Sequence, residues 1–315
     1  MKNIFVSGAA GFIGFHLCLY LKKEGHNIIG LDNFNPYYDI KLKHLRAKIL
    51  KKNNIDIIDA NINDINILKK IFSRDITHVI HLAAQPGVRH SFKKPFDYVD
   101  SNLVGFVNLL EITKNHKNIK LIFASSSSVY GSNKKIPFNT LDQTDFPTNL
   151  YGATKKANEI IAYSYHHLYK FPIIGLRYFT VYGPFGRPDM AYFKFTKNIL
   201  EGNEIEIYNN GNLKRDFTYI DDIVRGTTAT LDYKTDFEIF NLGNNNPINL
   251  MDFINMIEKK LDKKAKKKFL PFQKGEMLST YADISSSIEK LNFKPTTNIE
   301  KGMENFIDWY LKAYF

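Results

Sequence analysis

Short apolar runs alternate with helix-periodic segments through the first half of the chain. NIFVSG (3–8), NIIGLD (27–32), IDIIDAN (55–61), ITHVIHLA (76–83), IKLIFASS (119–126) and PIIGLRY (172–178) read as buried strands. Between them lie GFHLCLYLKKEG (14–25), KLKHLRAKIL (41–50), DINILKKIFS (64–73), DYVDSNLVGFVNLLEITKN (97–115) and YGATKKANEIIAYSYHHLY (151–169), which carry apolar residues at helical spacing. Strands that alternate with helices imply right-handed crossovers and a doubly wound parallel sheet, an α/β fold. After Tyr178 the rhythm breaks at FTVYGPFGRPDM (179–190), which is rich in turn residues. Beyond it, FKFTKNILEG (193–202) and INLMDFINMIEKKLDKK (248–264) read as helices and EIEIYNNG (204–211) as a strand and turn. The chain thus divides into residues 1–177 and a smaller mixed α/β C-terminal domain, 178–315, with some segments returning to the first.

Composition adds bounds. Of 315 residues, 44% are apolar and 24% charged, ordinary globular values that leave no long span for disorder. The single cysteine, Cys18, excludes an intrachain disulfide and a cysteine-rich metal site, and its apolar helical setting reads as core filler. No metal site is expected. The net charge of +11 would suit an anionic partner. Its densest run, KKLDKKAKKK (259–268), reads as the solvated end of a helix, and no aromatic-rich RNA-binding signature accompanies it. The first twenty residues have a basic start and an apolar body, but three spaced glycines and His16 interrupt the body and no small-residue cleavage pattern follows. The expectation is a cytoplasmic protein with no membrane span.

Chemistry concentrates in three places. VSGAAGFIG sets Gly8, Gly11 and Gly14 at the first strand-to-helix turn, where backbone N–H groups and the helix N-terminus receive a pyrophosphate. Asp32 ends the second strand eighteen residues past Gly14, placed to accept from adenosine ribose hydroxyls, which favours NAD over NADP. Together these define a Rossmann-type cofactor half. Tyr151 and Lys155 sit at i and i+4 on one helix face, and a cation beside a phenol favours phenolate, making Tyr151 a proton acceptor. Between these motifs, a strand ending in four serines (125–128) delivers hydroxyls to the carboxyl edge of the sheet, where such folds bind ligands. His81, beside LAA, reads as a core histidine.

These residues, with DNFNPYYDIKLKHLR, HLAAQPGVRHS, SSSSVYG, LYGATKKANE, GLRYFTVYGPFGRPDM and KRDFTYIDDI, resemble the extended short-chain dehydrogenase/reductases that act on nucleotide sugars. The resemblance spans nearly the whole chain and is greatest to the UDP-glucuronate 4-epimerases. It implies that Gly8, Gly11, Phe12, Ile13, Gly14, Asp32 and Asn33 hold NAD, that Asn61 and Ile62 flank the adenine, and that Leu82, Ala83 and Ala84 line the cofactor channel. Relatives often have Asp where Asn61 stands. It makes Ser126 the catalytic hydroxyl, Tyr151 the base and Lys155 its partner, the last two also touching NAD. Arg187, Arg215 and Glu276 would hold the nucleotide part of the substrate; relatives often have Asp at the last position.

Epimerases, dehydratases and decarboxylases of this kind all begin by oxidising C4 of the sugar. Related dehydratases carry Asp-Glu, and decarboxylating relatives a Glu, in the loop where this chain has Ser127 and Ser128. By resemblance these serines and Thr180 grip a C6 carboxylate, without the repulsion an ionised glutamate would bring. The expected reaction is therefore UDP-glucuronate to UDP-galacturonate through a 4-keto intermediate. The alternatives are a UDP-hexose or UDP-N-acetylhexosamine 4-epimerase, a 4,6-dehydratase, or a non-catalytic NAD- or RNA-binding protein on the same scaffold. No nucleic acid partner is expected. Two helices, about 96–114 and 151–169, resemble those that pair across a homodimer.

Overall fold

The computed structural model describes residues 1–116, 118–273 and 275–314. Its first half follows the predicted rhythm: β1 (Asn3–Ser7), α1 (Phe12–Lys23), β2 (Asn27–Asp32), α2 (Ile40–Lys52), β3 (Ile57–Asp59), α3 (Ile65–Phe72) and β4 (His78–His81). Then come two short helices, α4 (Val88–Lys93) and α5 (Pro95–Tyr98), and a π-helical stretch Val99–Val104 that runs into α6 (Gly105–Thr113). The segment 97–115, which the pattern predicts as one helix, is therefore three pieces. Next follow β5 (Lys120–Ser126), a 3-10 turn Ser127–Tyr130, α7 (Leu150–Tyr169), β6 (Ile173–Tyr178) and β7 (Thr180–Tyr182). The remainder is α8 (Ala191–Glu201), β8 (Glu204–Tyr208), β9 (Lys214–Tyr219), α9 (Ile220–Ala229), β10 (Phe237–Leu242), β11 (Pro247–Asn249), α10 (Leu250–Leu261), β12 (Lys266–Leu270), α11 (Ser285–Leu291) and α12 (Ile299–Trp309).

Seven parallel strands form the large sheet, in the order β10-β6-β5-β4-β1-β2-β3. Ile4, Val6, Ile80, Ile122 and Ile174 pack into one core and Phe5, Val79, Leu121, Phe123 and Ile173 into another. A parallel sheet covered on both faces needs such unbroken apolar runs, which is why these strands were readable. The strand order reverses between β1 and β4, and the crevice at that switch point receives ligands in this architecture. The seventh strand, β10, comes from beyond residue 178 and pairs with β6. Outside the large sheet, β9 pairs antiparallel with β11 and parallel with β7, and β8 pairs with β12.

The lysine run differs from its predicted form. α10 ends at Leu261 with Asp262 in the left-handed region, and Lys266–Leu270 is strand β12 beside β8. Lys264 and Lys267 reach back to Glu258, at 3.2 and 2.7 Å, so part of the run neutralises a buried carboxylate. Cys18 is buried in α1, as expected. Among the described residues no helix is long and apolar enough to cross a membrane.

Candidate active site

One cleft of about 860 Å³ opens at the carboxyl edge of the large sheet, and each site residue predicted above lines it. Its first part is the β1–α1 turn. Gly8 has φ +75°, and a Cβ there would lie 2.8 Å from the Ala83 backbone nitrogen. A Cβ on Gly14 would run into the Gly8 carbonyl. These close approaches keep the turn tight. Gly11 caps α1 without a side-chain hydrogen bond, so the first helical N–H groups are left for a ligand. Leu82–Ala84 follow β4, and Asn61 and Ile62 follow β3, completing a channel along the sheet edge.

Asp32 accepts from the backbone N–H of Ala10 (3.0 Å) and of Phe34 (2.9 Å), which aims its carboxylate along the channel. Lys43 of α2 lies 3.3 Å from the same carboxylate. The charge read from Asp32 alone is thus partly neutralised by a cation that the motif does not include. Lys43, buried on the cleft-facing side of α2, is a site residue that sequence reasoning missed; a lysine in a helix reads as solvated.

The second part is the strand tip. Asn149 accepts from Gly152 N–H (2.8 Å) and so starts α7 immediately before Tyr151. Tyr151 and Lys155 then face β5. The Lys155 ammonium donates to the Ala124 carbonyl at 2.7 Å, and burial lowers its pKa to about 8. Burial also pushes the Tyr151 phenol above its ordinary value, against the Arg187 charge and a hydrogen bond with Ser126 that pull it down. The expectation that Lys155 depresses the phenol is therefore not met by the protein groups alone, because desolvation outweighs the nearby positive charge.

The four serines have separate surroundings. Ser125 donates to Glu159 at 2.5 Å, and Glu159 holds Arg177 through two bonds of 2.8 Å. Ser126 accepts from the Ser128 N–H (3.1 Å) while its hydroxyl meets Tyr151. Ser127 and Ser128 line the cleft, with Thr180 at the start of β7. His81 bonds Ser7 at 2.8 Å and is held neutral by burial, its pKa lowered to about 3, which suits a core histidine.

The third part lies toward the C-terminal elements. Arg187 grips Asp189 at 3.0 and 2.6 Å, and Tyr37 donates to the same carboxylate at 3.1 Å. Arg215 donates to Glu276 at 3.1 Å, and Arg89 approaches Glu276 from α4 at 3.4 Å while lying 4.6 Å over the Tyr208 ring. Arg89 and Tyr208 were not among the predicted residues. Arg89 sits in HLAAQPGVRHS, a segment singled out only for its resemblance, and nothing in its spacing marks it. Two arginines and a carboxylate with an aromatic face suit a phosphorylated, hydroxyl-bearing ligand.

A parallel doubly wound sheet, a glycine turn after β1 with an acid at the end of β2, and a Ser-Tyr-Lys group at the carboxyl end of β5 define a nucleotide-dependent enzyme of the extended dehydrogenase/reductase type. The family model described as the NAD dependent epimerase/dehydratase family matches residues 4–243, and the chain belongs to that family. Over 99% of its length the chain is 51% identical to an uncharacterised protein, MJ1055, of Methanocaldococcus jannaschii, of which 97% is covered. It is 48% identical, again over 99% of its length, to UDP-glucuronate 4-epimerase 4 of Arabidopsis thaliana, of which 76% is covered. The crystal structure of UDP-glucuronic acid 4-epimerase from Bacillus cereus in complex with UDP-glucuronic acid and NAD superposes with a TM-score of 0.92 at 40% identity, each chain wholly covered.

Proposed function

We propose that this chain is an NAD-dependent 4-epimerase of UDP-sugars whose substrate is UDP-glucuronate. The observation that carries the choice of a uronate is the lining of the cleft by Ser127 and Ser128, hydroxyls at positions where the related dehydratases and decarboxylases carry acids, together with Thr180. The glycine turn and the uncapped start of α1 fit a dinucleotide. NAD, bound there, supplies the chemistry of removing the C4 hydride and returning it.

The protein's own residues handle the proton and the positioning. Tyr151 takes the C4 hydroxyl proton, with Ser126 sharing the hydrogen bond. The Arg187 charge and the Ser126 hydrogen bond pull the phenol down against the burial that raises it, and a bound positive nicotinamide would add to them, while Lys155 is held beside the strand tip by the Ala124 carbonyl. Ser127, Ser128 and Thr180 hold the C6 carboxylate. A 4-keto uronate is a β-keto acid, and it loses carbon dioxide only when its C5–C6 bond aligns with the carbonyl π system. The three hydroxyls keep the carboxylate out of that alignment. The keto sugar then turns over, Tyr151 returns the proton, and C4 is inverted. Arg187, Arg215 and Glu276 anchor the nucleotide while the sugar rotates.

In this reading residues 1–177, with β10 returning to the sheet, carry the cofactor, and residues from 178 onward carry most of the nucleotide-sugar contacts. A homodimer through α5, the π-helical stretch, α6 and α7 fits the exposed apolar side chains along this part of the chain: Phe96 is 82% and Ile160 58% exposed, and Val104, Tyr163 and Leu168 are exposed as well. The lone buried cysteine suits a reducing cytoplasm. Incubation with UDP-glucuronate, UDP-glucose and UDP-N-acetylglucosamine, with products resolved by NMR, tests the substrate. UDP-galacturonate should form fastest; faster inversion of either neutral sugar would overturn the uronate assignment.

A further inference from the structure

Arg46 of α2 is fully buried, yet its partners are neutral oxygens. One terminal nitrogen donates to the Ala10 carbonyl (3.0 Å) and the Tyr38 hydroxyl (2.8 Å); the other donates to the carbonyls of Phe185 (2.6 Å) and Gly186 (3.2 Å). Burying a guanidinium is costly, and a methionine would fill the same space without that cost. What only the planar fork supplies is several directed bonds at once. Here those bonds join the cofactor turn, through Ala10, to the loop that precedes Arg187.

His16 of α1 fastens the next carbonyl along. Its Nε2 lies 2.9 Å from the Pro184 oxygen, which only accepts, so Nε2 carries the proton. Burial lowers the ring's pKa to about 4, leaving it neutral at pH 7. Three successive carbonyls, 184 to 186, are therefore held from α1 and α2. The loop needs holding: Gly183 has φ +143° and Phe185, not a glycine, has φ +55°. Immediately beyond it the Arg187 N–H donates to the Tyr192 hydroxyl at 3.2 Å, and its side chain turns to Asp189, which Tyr37 also grips.

We infer that Arg46, with His16, is a positioning residue that fixes the 184–186 loop against the cofactor turn and thereby sets where the Arg187 guanidinium meets the nucleotide of the substrate. This rests on the reading of Arg187 as a nucleotide-binding residue. Arg46 touches neither ligand in this scheme; it acts through Arg187, so its effect should disappear when Arg187 is gone.

The test is a double-mutant cycle on the holoenzyme, read by calorimetric Kd for UDP, with bound NAD and melting temperature recorded for each variant. Arg46→Lys keeps the charge but loses the fork. It should weaken UDP binding by about tenfold in the wild-type background and by less than about twofold beside Arg187→Met, because coupled residues are not additive. KM for the UDP-sugar should rise with it. His16→Phe, which keeps an aromatic ring among Phe12, Phe15 and Phe185 and loses the Pro184 bond, should act in the same direction with a smaller factor, and serves if Arg46→Lys does not fold. An equal loss in both backgrounds, or unchanged UDP affinity in both the Arg46 and His16 variants, would overturn the inference. If Arg187→Met alone leaves UDP binding unchanged, it is the assignment of Arg187 that falls.

Discussion

Lys155→Met should make the cofactor-free protein more stable while abolishing turnover. Lys155 is 2% exposed and its pKa falls from 10.5 to about 8 on folding. A drop of roughly 2.5 units at about 1.4 kcal/mol per unit places the cost of keeping the ammonium charged in the folded state near 3 kcal/mol. The hydrogen bond to the Ala124 carbonyl offsets about 1 kcal/mol of this and is lost in the variant. Methionine, close in length and without charge, should therefore gain about 2 kcal/mol at pH 7. The pH dependence separates this cause from better packing. The folded state binds fewer protons at Lys155 than the unfolded chain between pH 8 and 10.5, so wild-type stability rises with pH across that window. The advantage of Lys155→Met is thus complete below pH 8 and shrinks as pH climbs toward 10.5. Urea titrations of both proteins at pH 7.5 and pH 9.5 would measure it. A variant no more stable than wild type at pH 7.5, or a difference that does not shrink at pH 9.5, would refute the reasoning.

Other expectations follow from the same surroundings. Glu159→Gln breaks a bidentate buried pair with Arg177 and weakens the Ser125 bond, so urea denaturation should show a loss of about 3–5 kcal/mol. Tyr151→Phe should remove most turnover, measured by product NMR, while UDP binding by calorimetry stays within about twofold, since the phenol acts in the proton step. Ser127→Ala and Thr180→Ala should raise the ratio of UDP-pentose to UDP-galacturonate in the product, resolved by mass spectrometry; an unchanged ratio would remove the carboxylate-holding role. Asp216 accepts backbone N–H groups from Asn244, Asn245 and Ala282, yet burial raises its pKa to about 6, so wild-type stability should fall as pH rises from about 4 to 6, and Asp216→Asn should remove that fall in thermal melts.

The sequence made the sheet legible where strands were buried on both faces. β1, β2, β4, β5 and β6 have apolar centres, and their alternation with helices predicts a parallel doubly wound sheet, whereas the strand order across it is seen only in the structure. β9 and β10 escaped notice because Lys214, Arg215, Asp216, Glu238 and Asn241 break up the apolar signal; the side chains of Arg215, Asp216, Glu238 and Asn241 have specific partners that only the fold brings near. The π-helical stretch is a slip of hydrogen-bond register within an otherwise helical pattern, and side-chain periodicity does not report it. The site was legible to the extent that its residues cluster in short motifs: the glycine turn, the four serines, and Tyr151 with Lys155. Lys43, Arg46 and Arg89 were not, because a cation on a helix ordinarily faces water and only three-dimensional neighbours show otherwise. The serine stretch gained the most from the structure: Ser125, which had no expected role, anchors the strand to Glu159, while Ser126 meets Tyr151 and Ser127 and Ser128 face the cleft.

The central claim is that C4 is inverted by removing a hydride and returning it within one bound cofactor. Turnover of UDP-glucuronate carrying deuterium at C4, in ordinary water, tests it directly. UDP-galacturonate that keeps its deuterium at C4 by NMR is the predicted result; product whose C4 deuterium has been replaced by solvent hydrogen would contradict it.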